Sequence, residues 1–275
     1  ASCLVGSEMC IRDSFKGRAI QNMLNIEPDD SVNALLRLRG LNDEEFVKSH
    51  YVVFATKNGT VKKTSLEAYS RPRTNGVNAI NIVEGDEVVD VRLTNGKNEI
   101  ILANRNGRAV RFDEDSIRTM GRVSTGVRGM KLDDGDDQVV GMIVVNNAET
   151  ETVMVVSENG YGKRSQVEDY RKTNRGGKGV KTFSITEKTG RLVAIKNVTD
   201  DNDLMIINKS GIAIRLAVSE CRVMGRATQG VRLINLSKKN DVIASVCKVM
   251  STEKEAEVSG DKDDETSQPL NPPTA

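Results

Sequence analysis

Cations at matched places in a repeated pattern are the chemistry this sequence offers. Four times a glycine marks the tip of a strand-like hairpin, at Gly59, Gly107, Gly160 and Gly211, and cations follow each tip: Lys62 and Lys63, Arg108 and Arg111, Lys163 and Arg164, then Arg215. The loop after each hairpin carries more: Arg71 and Arg73; Arg118, Arg122 and Arg128; Arg171, Lys172, Arg175, Lys178 and Lys181; Arg222, Arg226 and Arg232. Regularly spaced positive charge without base-reading side chains suits a phosphate backbone. Loop glycines let backbone N–H groups approach phosphate, as anion-binding nests do. On a single hairpin these residues would read as a solvated face and a turn; repetition in register through four units turns the reading toward a polyanion track. With about six to ten phosphates contacted, affinity falls on the order of a thousandfold between 50 and 200 mM salt.

Other chemistries are poorly served. His50 is the only histidine, which excludes triads and multi-histidine metal sites. The stretch 176–182 lacks the glycine that a GxxxxGK[ST] phosphate loop needs at Lys181. Asp133, Asp134, Asp136 and Asp137 lack the spacing and terminal Glu of a calcium loop and read as an acidic turn. Cys3, Cys10, Cys221 and Cys247 form no CxxC pair or zinc spacing, so a reduced, cytoplasmic setting is expected.

The elements that position the cations are short strands. Asn-Gly between apolar runs (Asn58-Gly59, Asn106-Gly107, Asn159-Gly160) signals a hairpin, because both central residues of a type I′ turn need positive φ. A second glycine keeps step with the first, at Gly76, Gly126, Gly179 and Gly230, mostly as Gly-Val-basic. A repeat of about fifty strand-rich residues points to propeller blades. Complete units start near residues 51, 99, 151 and 203, each expected to supply four strands; the first would use 51–56, 60–65, 77–83 and 87–93. In the second and fourth units the third strand is expected at 127–132 and 231–236, and 40–49 reads as a polar connector. The predicted fold is all-β and propeller-like, over residues 15–250, with a partial unit at 15–40.

Aromatic residues are scarce and Trp is absent, so the core must come from Val, Ile, Leu and Met. The net charge of +1 hides an asymmetry: residues 251–275 hold seven acidic residues against two lysines, leaving +6 on the first 250. That segment is predicted to be a disordered acidic tail that competes for a basic surface. Residues 1–14 fit no repeat and are set aside as extraneous.

Three stretches carry a family resemblance: Lys57-Asn58-Gly59-Thr60-Val61-Lys62-Lys63, Thr125-Gly126-Val127-Arg128-Gly129 and Asn159-Gly160-Tyr161-Gly162-Lys163-Arg164. They resemble the C-terminal domain family of bacterial DNA gyrase A. The resemblance implies a six-bladed β-pinwheel with its own strand exchange, of which this chain would hold four complete blades and part of another. It also implies that duplex DNA wraps around the basic rim, in a bacterial, nucleoid-associated heterotetramer with gyrase B and a second copy of gyrase A. ATP and Mg²⁺ would be used elsewhere in that enzyme, and no cofactor is expected in this fragment.

Two departures qualify it. The family's Q-R-R-G-G-K-G box belongs to a first blade that would precede this chain, and Thr173-Asn174-Arg175-Gly176-Gly177-Lys178-Gly179 is a degenerate copy in a later blade. None of Tyr51, Tyr69, Tyr161 or Tyr170 matches the catalytic tyrosine's context, so the fragment is not expected to be catalytic alone. The alternatives are the corresponding domain of topoisomerase IV, a decatenase, and a protein-binding propeller of the WD40 or kelch kind. Missing Trp-Asp dipeptides and regular cations argue against the latter.

Overall fold

The computed structural model describes residues 32–38, 40–71, 76–133, 135–236 and 241–250. The expectations for 1–14, most of the partial unit at 15–40, Arg73, Asp134 and the acidic tail lie outside the described residues. Each unit opens with a tight antiparallel hairpin: β1 (Tyr51–Thr56) with β2 (Thr60–Ser65), β4 (Glu99–Asn104) with β5 (Arg108–Asp113), β8 (Thr152–Ser157) with β9 (Tyr161–Gln166), and β12 (Asn202–Asn208) with β13 (Ala213–Ala217). A longer strand then returns to the hairpin's first strand: β3 (Val88–Thr94), β7 (Val139–Val145), β11 (Leu192–Val198) and β15 (Ile243–Met250).

The fourth strand of each four-stranded sheet comes from the following unit. β6 (Val127–Arg128) pairs with β2, β10 (Val180–Lys181) with β5, and β14 (Val231–Arg232) with β9. This corrects the expectation that every unit supplies four strands of its own. The strand predicted at 77–83 is absent, and those at 127–132 and 231–236 shrink to two residues. The physical reason is visible at Gly129 and Met130: both N–H groups go to the Gly59 carbonyl, at 2.8 and 3.2 Å, so the chain turns off the sheet after one pair of rungs. Among the described residues no strand covers the outer edge of β13, and the fourth sheet has three strands.

Strand exchange accounts for the second landmark glycine. A Cβ on Gly126, Gly179 or Gly230 would lie 2.6, 2.3 or 2.4 Å from a carbonyl oxygen of the preceding hairpin, and all three have positive φ. Only glycine meets both conditions.

The sheets stack face to face, so their inner strands are buried on both faces and read as unbroken apolar runs. Alternation then divides each strand between neighbours. Ile100 and Leu102 pack with Val53 and Val61 of the first unit, whereas Ile101 and Ala103 pack with Val153 and Val155 of the third. Backbone bonds join successive units where the return strands begin: Val139 N–H to the Lys57 carbonyl, Leu192 to Arg105, and Ile243 to Glu158, at 2.9–3.0 Å.

The predicted connector holds the one α-helix among the described residues, α1 (Glu44–Ser49). Asp43 caps it by accepting from the Glu45 and Phe46 N–H groups, and Val47 buries its inner face. His50 stacks on Phe46 at 4.0 Å, a structural role.

Candidate nucleic-acid interface

Four of the hairpin cations, Lys62, Lys63, Lys163 and Arg164, turn out to be internal fastenings. Lys62 is buried, and its Nζ donates to the Ala79 carbonyl at 2.5 Å and to the Arg122 carbonyl in the next unit's loop. Lys163 repeats the arrangement two sheets further on, donating to the carbonyls of Gly225, at 2.8 Å, and Arg226. Burial brings both ammonium groups down to about 8, with Arg122 adding to the effect on Lys62. Val110 and Ile214 occupy the same place in the second and fourth units.

One residue further on, each unit has a cation paired with a carboxylate. Lys63 lies 3.5 Å from buried Glu114, Arg111 Nε bonds Glu99 at 2.6 Å, Arg164 Nη1 bonds Asp200 at 2.6 Å, and Arg215 Nε bonds Asp203 at 2.6 Å. A buried charge is tolerated only when paired and hydrogen-bonded. Lys62, Lys63, Lys163 and Arg164, expected on the rim, therefore have no charge free for phosphate. The backbone joins in: the carbonyls of Lys63, Arg111 and Arg164 accept from Met120, Thr173 and Met224 of the next loop at 2.7–2.8 Å.

The loop cations fall into three sets in one register. The first set, Arg118, Arg171 and Arg222, is exposed and forms no ion pair among the described residues. The second, four residues later, is half-buried, and two members staple adjacent units. Arg175 donates to the carbonyls of Ser116 and Arg128 at 2.9 and 3.0 Å, and Arg226 to that of Lys181 at 2.7 Å. The third set, Arg128, Lys181 and Arg232, rides on the donated strands and is exposed. Outside this register, Arg71 is exposed and Arg108 half-buried, within 4.0 Å of Asp133.

Lys172 and Lys178 are exposed but partly neutralised. Lys172 bridges Asp113 and Glu99 at 2.8 and 2.7 Å, which raises its affinity for its proton, and Lys178 lies 3.0 Å from Asp133. The Thr173–Gly179 box is likewise partly committed: the Gly176 N–H donates to the Gly129 carbonyl at 2.6 Å, and the Gly177 carbonyl accepts from Lys131 at 2.9 Å. Among the described residues no carboxylate, cysteine and histidine cluster could hold a metal ion, and no helix is long and apolar enough to cross a membrane.

Two residues that sequence reasoning did not place at the site stand beside these cations, Tyr161 and Lys188. The Tyr161 ring is buried, with Arg232 and Lys188 each lying over it. The available signal was Tyr161 itself, an aromatic standing where the other hairpins have Thr60, Arg108 and Ile212.

Comparison with known proteins matches this architecture. The model of the family described as DNA gyrase C-terminal domain, beta-propeller, fits residues 50–95, 98–146, 151–199 and 202–247, one segment per unit. The DNA gyrase A protein of Staphylococcus epidermidis is 43% identical over 234 residues, covering 85% of this chain and 26% of the relative; the Staphylococcus aureus protein gives the same figures. The chain thus spans about a quarter of the length of these curated relatives. Among solved structures, the C-terminal domain of DNA topoisomerase IV superposes with a TM-score of 0.79 at 28% identity, covering 92% of this chain and 77% of that one. A DNA gyrase A C-terminal domain gives 0.75 at 24% identity, covering 86% and 76%, a likeness of fold. With a family model matching unit by unit over most of its length, this chain belongs to the DNA gyrase C-terminal domain family of β-propellers.

Proposed function

We propose that the chain binds duplex DNA without sequence preference and bends it along the propeller rim. The observation that carries this reading is the register of the exposed loop cations: Arg118, Arg171 and Arg222, each followed ten residues later by Arg128, Lys181 and Arg232. Positive charge repeated at one height around successive blades matches a phosphate backbone curved over them. Arg175 and Arg226, the stapling members of the second set, hold that spacing rigid, so the bent duplex meets cations already in place. Bending a site of a few helical turns costs on the order of 1–6 kcal/mol, which phosphate contacts repay.

Within this reading the chain is a non-catalytic part of a type IIA topoisomerase working in the bacterial cytoplasm. Gyrase B and a second copy of gyrase A complete that enzyme, and ATP and Mg²⁺ act on its other domains to support negative supercoiling. The likeness to a topoisomerase IV domain supports decatenation as a second reading of the parent's task. The acidic segment 251–275 competes with DNA for the rim. The decisive test is affinity for a 40-base-pair duplex across a salt series. We expect a log–log slope equivalent to about six or more phosphates, reduced by about three on changing Arg118, Arg171 and Arg222 together to Gln. A flat slope from the folded chain, or a slope untouched by the triple change, overturns the proposal.

A further inference from the structure

At the junction of the third and fourth units, hydrogen-bond donors converge without an acid to receive them. Arg232, opposite Tyr161 across the donated strand, sends Nε and Nη2 to the phenol oxygen at 3.2 and 3.1 Å. Its guanidinium carbon lies 5.6 Å from the ring centroid, and Lys188 Nζ lies 5.5 Å from the same centroid. Asn159 fixes the turn that carries Lys188 by donating to the carbonyls of Glu187 and Lys188 at 3.1 and 3.2 Å. With two N–H groups filling its lone pairs, the phenol has only its own O–H left to give, and no described residue accepts it. Arg232 keeps three further N–H donors. The two cations also pull the Tyr161 phenol below its ordinary value, Arg232 first.

Beside this cluster opens a cavity of about 340 Å³ floored by Ile234, Leu236 and Val242. Asp241 is the one acid lining it among the described residues, and that carboxylate is already used by the Ser210 hydroxyl at 2.6 Å and the Val242 N–H at 2.9 Å. The corresponding cross-strand pairs in the first two sheets are Thr60 with Arg128 and Arg108 with Lys181, neither with an aromatic.

We propose that this cavity is a seat for one phosphate group, held by the Lys188 ammonium, the free N–H groups of Arg232 and the Tyr161 O–H. The identity of its natural source, a phosphodiester of the bent duplex, rests on the DNA-binding reading; the seat's chemistry does not. Lys188 is the discriminating residue. Arg232 and Tyr161 would pair across the strands for structural reasons alone, whereas Lys188 reaches the cluster from a separate turn.

The test uses the full chain with Tyr161→Phe and Lys188→Met, and two probes: inorganic phosphate followed through the Tyr161 ring resonances, and a 40-base-pair duplex followed across salt. Equal thermal midpoints check that the variants fold. We expect phosphate to shift the Tyr161 resonances in the wild type and to lose that effect in Lys188→Met. For the duplex, Lys188→Met should weaken binding about tenfold and remove about one counterion from the slope. Tyr161→Phe should weaken it with the slope unchanged. If the phosphate response is lost in Lys188→Met while duplex binding by both variants stays intact, the seat stands and takes a free phosphate, and its place on the DNA track is overturned. If phosphate leaves Tyr161 undisturbed and both variants bind duplex like the wild type, the proposal fails.

Discussion

Replacing Lys163 by Met separates a fastening from a phosphate contact. Lys163 is 1% exposed, and its ammonium spans from β9 to two carbonyls of the loop that also presents Arg222. Met keeps much of the stem's volume and removes the charge, so two opposing effects arise. Leaving a buried carbonyl without its donor costs about 1–3 kcal/mol. Removing a buried charge gives part of that back, because its desolvation no longer has to be offset. Gly225 is exposed, and water can serve its carbonyl once the ammonium is gone. The net expectation is a loss of about 1–2 kcal/mol, which for a chain of this size lowers the thermal midpoint by roughly 2–8 °C. Calorimetry would read that loss, and the salt slope of duplex binding should be unchanged, because no counterion is released from a buried ammonium. The reverse outcome, full stability with a slope reduced by about one, would show Lys163 acting as a rim cation and would refute the assignment.

Two further perturbations test the same framework. Gly179→Ala places a Cβ 2.3 Å from the Ala109 carbonyl oxygen at a φ of +74°, so it should cost about 2–3 kcal/mol and open the β10–β5 pairing to hydrogen exchange. Gly177→Ala, whose nearest neighbour lies 3.8 Å away, should cost little; equal losses in denaturant titrations would mean that the box glycines are not distinguished by packing. For Lys62, the folded group gives up its proton near pH 8 while the unfolded chain keeps it to its ordinary value of 10.5, so between these values the unfolded state binds more protons. Stability of the wild type relative to Lys62→Met should therefore rise from pH 8 to 10. A gap that stays constant over that window, measured by urea denaturation, would count against a buried, easily deprotonated ammonium.

Much of the fold was legible because it rests on local rules repeated four times. The hairpins, the return strands and the apolar runs follow from the Asn-Gly signal and two-sided burial, and each survives in the structure. The turn itself is not the type I′ expected, because the Gly59 N–H bonds the Thr56 carbonyl at 3.0 Å and the turn centres on the two residues before the glycine. What the residues alone did not reveal is which unit owns the fourth strand. Val127–Arg128 reads equally well as a strand of its own unit or the preceding one, and only the clash that a Cβ on Gly126 would make with Val61 decides. The short helix α1 was hidden for a different reason: six residues give too little periodicity, although Asp43 followed by Glu44 and Glu45 was a usable cap signal.

The basic pattern was legible in its repeat and illegible in its division of labour. Arg171 and Arg175 lie four residues apart in one loop, yet Arg171 faces solvent without an ion pair among the described residues, while Arg175 donates to Ser116 and Arg128 in the preceding unit. Nothing in their types predicts this, since the difference arises from carbonyls about fifty residues away. The division has a consequence for bending. A cation on a mobile loop loses side-chain and loop freedom each time it meets a phosphate, at about 0.5–1.5 kcal/mol per side chain, and those losses would add to the cost of curving the duplex. Spending Lys62, Lys163, Arg175 and Arg226 on carbonyls of the adjacent unit fixes the loops beforehand. On the proposed reading the remaining arginines would carry the binding with little left to order, and the buried half of the basic pattern would make the exposed half effective.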